Sequence, residues 1–293
     1  MLNIETDFPN RRIFLDGGTG TLLLKQDITC EPVTVNITQP NVIIELHKKY
    51  LEAGANIITA NTFGAYSHKH DNFGEMISAA IKNAKTAVAQ HKNEGGNHAY
   101  VALDIGPTGL MLEPYGDVEH ETAADIFADT ISIGVECGAD CILIETMMDI
   151  NELEIAVREA RKTSLPVFAT MSIGSSGRTM YGASVGDMAA LLDHLGVSAM
   201  GINCGEGPDA CTTAIEALLA IAKVPVIFQP NAGMPEVLAN GQAVYNISPS
   251  QYAAQMLEMA AAGVAILGGC CGTTPEHIHA MVAKCSGSFE ARA

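Results

Sequence analysis

The sequence contains no tryptophan and only 5% aromatic residues, so its core must be packed by Ala, Ile, Leu, Val and Met. Basic residues are scarce as well: 16 Lys and Arg stand against 33 Asp and Glu, a formal charge of −17. That balance excludes a nucleic-acid binder, which carries a basic footprint, and gives no attraction to an anionic membrane surface. No apolar run approaches the ~18 residues of a membrane span, and the opening stretch MLNIETDFPNRR has no apolar signal core. The expectation is a soluble, cytoplasmic protein. A CxxC pair, an HExxH motif and the GxGxxG dinucleotide fingerprint are also missing. No low-complexity linker or compositional break divides the chain, so residues 1–293 are read as one domain.

What is present is a recurring unit: an amphipathic segment, a glycine suited to a left-handed helix end, then a short apolar strand. It occurs as Tyr50–Asn61, Val135–Thr146, Leu195–Cys204 and Ala261–Cys270. Further strands are predicted at Ile13–Asp16, Tyr100–Asp104, Pro166–Met171 and Val224–Gln229. Helices are predicted from Pro40 to about Ala53, then near Gly74–His91, Glu121–Cys137, Asn151–Lys162, Val185–His194, Asp209–Ala222 and Ser250–Ala262, with a last one after Pro275. Eight alternations in this length fit a (β/α)8 TIM barrel better than an open doubly wound sheet.

Barrel chemistry gathers where strands end. Those ends read Asp16, Asn61, Asp104, Glu145, Ser172, Cys204, Asn231 and Cys270-Cys271, all polar or sulfur-bearing. Strand ends meet water and are polar anyway, an explanation that weighs most for Asn61, Asp104 and Ser172. It weighs least for the cysteines. Adjacent cysteines rarely bridge each other, because their Cα atoms sit about 3.8 Å apart and a disulfide needs about 5.5–6 Å. Held on a glycine-loosened turn, GGCCG, with a third thiol in GINCG, they make a soft-metal site. Gly268, Gly269 and Gly272 are expected to let the backbone turn so that both sulfurs face one ion. Cys204, Cys270 and Cys271 suit Zn2+ with a fourth position open, and Asn231 is placed to cover that position when substrate is absent. A vicinal dithiol redox pair is the competing account of the thiols. Cys30, Cys137, Cys141, Cys211 and Cys285 are read as packing or surface residues.

Three thiolates limit the Lewis acidity of a zinc ion while the charge still strips a proton from a bound thiol, which favours alkyl transfer to sulfur over hydrolysis. An amino-acid thiol also needs an anion for its ammonium and donors for its carboxylate. Asp16 and Glu145 are the best-placed acids, and the backbone amides of Gly17, Gly18 and Thr19 the best-placed donors. Ser172 completes the expected substrate contacts. Each acid also has a plain structural reading, as a cap for the loop or helix that follows.

With these residues in view, the chain resembles the homocysteine S-methyltransferase family over nearly its whole length. The resemblance is carried by LDGGTGT, LEAGANIITANTFG, DIGPTG, ILIETMMD, GINC, PNAGMP and GGCCGTTPEHI. It implies a zinc-dependent barrel in which Cys204, Cys270 and Cys271 hold the metal, Asp16 and Glu145 hold homocysteine, and Asn231 ligates zinc in the substrate-free state. Gly272-Thr273-Thr274-Pro275 resembles the homocysteine module of cobalamin-dependent methionine synthase. The implied donor is therefore methylcobalamin carried by a separate corrinoid protein or module. SIGSSGRTMYGASV, after the fifth strand, departs from the family pattern. S-methylmethionine or a betaine is the alternative donor. A zinc hydrolase or lyase and a non-catalytic thiol-binding module are the alternatives of other classes.

Overall fold

A computed structural model describes residue 6 and residues 11–24, 30–238 and 243–287; the ends of the 1–293 domain assignment lie outside them. The chain forms one eight-stranded parallel sheet. In chain order its strands are β1 (Ile13–Phe14), β2 (Ile57–Thr59), β3 (Tyr100–Ile105), β4 (Cys141–Met147), β5 (Val167–Met171), β6 (Ala199–Cys204), β7 (Val226–Pro230) and β10 (Ile266–Leu267). A small antiparallel hairpin, β8 (Glu236–Val237) with β9 (Ala243–Val244), rises from the loop after β7. Neighbours run in chain order from β2 round to β7, then β10 and β1. The ring closes where Leu15 bridges Ile57, and the Asn56 amide donates to the Phe14 carbonyl at 2.7 Å. This is the expected (β/α)8 barrel.

Its strands are apolar on both faces because two cores use them. Ile13, Leu15, Ile57, Ala102, Leu143 and Phe168 fill the barrel interior, and a larger cluster packs between the strands and the surrounding helices. Helices at Pro40–Glu52, Phe73–Asn93, His120–Glu136, Ile150–Ala160, Val185–Leu195, Thr212–Ile221, Pro249–Ala262 and Pro275–Cys285 form that outer layer. All eight expected helices are present, with ends moved by a few residues at most. The glycine of each recurring unit is left-handed, with φ of 103° at Gly54, 89° at Gly138, 68° at Gly196 and 118° at Gly263. Each stops a helix and aims the next strand into the barrel, at a backbone angle an L side chain would resist.

Candidate active site

All barrel strands deliver their C-terminal ends to one mouth. There β6 ends at Cys204, and β10 leads into Cys270 and Cys271, with β7 between them in the sheet. The three Sγ atoms lie within 4.8 Å of one another. Local backbone makes this possible. Cys204 itself is left-handed at φ 59°, an uncommon state for a residue with a side chain, and Gly205 continues the turn at 64°. Beyond the pair, Gly272 turns the chain at φ 80°. Gly268 and Gly269 act through space instead. A Cβ on Gly268 would sit 2.8 Å from Leu15 Cβ, and one on Gly269 would sit 2.5 Å from Thr273 Oγ1. The turning role expected of all three glycines therefore belongs to Gly272.

The sulfurs share charge. Hydrogen bonds from Cys270 and Cys271 hold the Cys204 thiol well below its usual range, and the same bonds push Cys270 and Cys271 up. Asn231 donates from Nδ2 to the Gly205 carbonyl at 2.6 Å, while its Oδ1 is buried with no hydrogen-bond partner. Three clustered sulfurs with an orphaned oxygen nearby fit a soft, four-coordinate cation in donor type and number. The remaining cysteines behave as expected: Cys141, Cys211 and Cys285 are buried, Cys30 and Cys137 exposed. HxH pairs occur at His68 and His70 and at His277 and His279; neither joins the thiol cluster, and His277 lies in the Pro275–Cys285 helix. Its Nδ1 accepts from the Thr274 amide at 3.2 Å, and its Nε2 meets the Ile247 carbonyl at 2.9 Å.

The thiols open onto a cavity of about 430 Å3. Asp16, Gly17, Gly18, Thr19 and Glu145 line it together with the three cysteines, whereas Ser172 and Asn231 do not. The Ser172 amide instead donates to the Met147 carbonyl at 2.9 Å, tying the end of β5 to β4. Asp16 is only 1% exposed, and Thr59 bonds both its oxygens, through its amide to Oδ2 and its hydroxyl to Oδ1, each at 2.9 Å. Burial outweighs those bonds and pushes its carboxyl up to about 7. Burial, then the negative charges of Cys204 and Asp16, push Glu145 up to about 8. Of the three expected backbone donors, Gly18 is already engaged, donating to Thr273 Oγ1 at 3.0 Å. No such bond engages the Gly17 or Thr19 amide among the described residues.

Three residues that hold the site were not singled out from the sequence. Asn203, fully buried beside Cys204, accepts at Oδ1 from the Thr146 amide and the Thr170 hydroxyl, and donates from Nδ2 to Thr146 Oγ1, all at 2.8 Å. Thr146 follows Glu145 and is left-handed at φ 63°, a real outlier for a β-branched residue. Asn203 thus clamps the strained turn that presents Glu145. Thr59 plays the corresponding part for Asp16. A polar residue directly before a strand-end cysteine was the available signal for Asn203. Nothing local in the sequence announces Thr59.

Fold and site together define a (β/α)8 barrel with a thiol cluster at its catalytic end. The chain belongs to the homocysteine S-methyltransferase family, whose model matches residues 13–285. Curated relatives include the methionine synthases of Mycobacterium leprae, 31% identical over 92% of this chain, and Mycobacterium tuberculosis, 32% identical over 94%. The chain spans about a quarter of their length, 24% and 25% respectively. Among solved structures, the metallated form of homocysteine methyltransferase MmuM from Escherichia coli superposes with a TM-score of 0.79 at 22% identity, covering 96% of this chain and 99% of that one. The oxidised form of the same protein also gives 0.79, at 22% identity, covering 93% and 95%. These two establish a shared fold.

Proposed function

We propose that the chain binds zinc through Cys204, Cys270 and Cys271 and methylates the thiol of homocysteine to give methionine. The observation that carries this reading is the meeting of three sulfurs, the buried Asp16 and the half-buried Glu145 in one cavity. When bound, zinc would supply a charge that removes the thiol proton near neutral pH while three thiolate ligands keep the substrate sulfur nucleophilic. Asn231 Oδ1 is the candidate for the fourth position before substrate arrives. Asp16 and Glu145 take the ammonium, and the amides of Gly17 and Thr19 take the carboxylate. The substrate sulfur supplies the electron pair of the new S–C bond, and the donor keeps the pair of the bond that breaks. With the proton already gone, no side chain is needed as a general base.

The donor we favour is methylcobalamin on a separate corrinoid protein or module. The GTTP sequence after the cysteine pair and the relatives' greater length support it. So do exposed apolar side chains beyond the C-terminal ends of the strands: Tyr115 and Met180, on the loops after β3 and β5, and Val237, in β8, are 76%, 84% and 74% exposed. Among the described residues no helix is long and apolar enough to cross a membrane. Eight free cysteines suit a reducing, cytoplasmic setting.

The test is a zinc-loaded assay crossing homocysteine with methylcobalamin, S-methylmethionine and betaine. Turnover only with the corrinoid supports the full reading, and turnover with a small donor alone moves the donor assignment. Cys270→Ser is expected to lose zinc and methyl transfer together. A variant retaining both would end the metal assignment.

A further inference from the structure

One acid in the cavity is left without a task by this reading. Asp104 is the penultimate residue of β3, is 7% exposed, lines the same cavity as Asp16 and Glu145, and has an Oδ1 with no hydrogen-bond partner. Its direction follows from strand parity. Ala102 lies two residues before it and Leu143 two before Glu145, and both fill the barrel interior. With side chains alternating along a strand, Asp104 and Glu145 face the same way as those two, towards the barrel axis at the mouth. β3 and β4 are direct neighbours, with Asp104 in register with Leu143. On the other side, β2 presents Thr59, whose amide and hydroxyl hold Asp16. Asp104 therefore stands between the two acids already assigned, and its carboxyl feels the charge of both.

An ammonium group has three N–H donors, and a buried donor without an acceptor costs most of its desolvation penalty. Asp16 and Glu145 account for two. We infer that Asp104 accepts the third N–H of the substrate ammonium, so that three carboxylates on three strands make the site selective for thiols bearing a free primary amine. This rests on the homocysteine reading above.

The test uses the full zinc-loaded chain and two thiols, homocysteine and 4-mercaptobutanoate, which lacks the amine, with binding measured by calorimetry. Asp104→Asn keeps the shape and removes the charge. It is expected to weaken homocysteine by about ten- to a hundredfold, in line with a lost charged hydrogen bond. It should leave 4-mercaptobutanoate as it was or bind it more tightly, with zinc content unchanged and the melting temperature no lower. Equal weakening of both thiols, or no change in either, would overturn the role of Asp104 alone. A wild-type chain that bound the two thiols equally would instead remove the amino-acid acceptor, and this inference with it.

Discussion

Replacing Asn203 with Ala tests whether Glu145, the acid proposed to hold the substrate, is aimed by its neighbours. The change deletes three hydrogen bonds, each 2.8 Å long, besides a weak 4.0 Å one from Nδ2 to Cys270 Sγ. At about 1 kcal/mol each, this comes to about 3 kcal/mol. Orphaning the Thr146 amide adds to the cost, and release of the strained Thr146 backbone returns about 1–2 kcal/mol. The net loss stays near 3 kcal/mol, or about 5 °C in melting temperature for a chain of this size. Zinc content should be unaffected, since all three sulfurs remain. Homocysteine affinity should fall well beyond what lost stability explains, because Thr146 is free to leave the left-handed region and Glu145 moves with it. Calorimetric melting, metal analysis and homocysteine titration on one preparation decide the matter. A variant that melts within ~2 °C of the parent and binds homocysteine as well would show that the Asn203–Thr146 network does not position the acid.

Two further perturbations have firm signs. His47 is fully buried with neither ring nitrogen hydrogen-bonded, and burial lowers its imidazole from 6.5 to about 4. The folded state thus resists a proton that the unfolded chain accepts below about 6.5, so its share of stability is intact above that pH, erodes as pH falls towards 4, and levels off below. His47→Leu should flatten the acid limb across that window by about 3 kcal/mol, read from melts at stepped pH; an unchanged slope would contradict it. Gly201 sits in β6 in register with Ile227, and a Cβ there would lie 2.0 Å from the Ile227 carbonyl oxygen. With backbone on both sides, nothing can yield cheaply, so Gly201→Ala should lose more than about 3 kcal/mol or fail to fold. A soluble variant with a native melting temperature would be the contrary result.

The barrel was legible because its signals are local and repeat. A glycine that must be left-handed, followed by a run apolar at every position, predicts a helix end and a strand buried on both faces wherever it occurs, and Gly54, Gly138, Gly196 and Gly263 all bear this out. The thiol cluster was legible for another reason: few residue types suit a soft metal, and topology alone brings the ends of β6 and β10 together. Contacts between distant segments left no trace in the sequence. The pairing of Gly18 with Thr273, which removes one expected anion donor, spans 255 residues. Ser172 had the right address at a strand end, but its amide is spent on Met147 and it stands outside the cavity. Parity could have set Asp104 apart from the other polar strand ends, since it shares a face with Ala102. Its unpaired oxygen is visible only in three dimensions.

The barrel closes at its thinnest place. β1 and β10 are two residues each, and a single bridge from Leu15 to Ile57 completes the ring. Few backbone hydrogen bonds oppose a local opening there, so amide exchange should be faster along this seam than in β3 to β6. Yet the Gly269 amide binds the Asp16 carbonyl across the seam, and Thr273 reaches Gly18 from the loop that carries Cys270 and Cys271. A ligand gripped at once by that loop and by β1 acts as a rivet through the joint. A ligand held by both segments would add to these ties, so exchange of the β1 and β10 amides should slow when the cavity is filled.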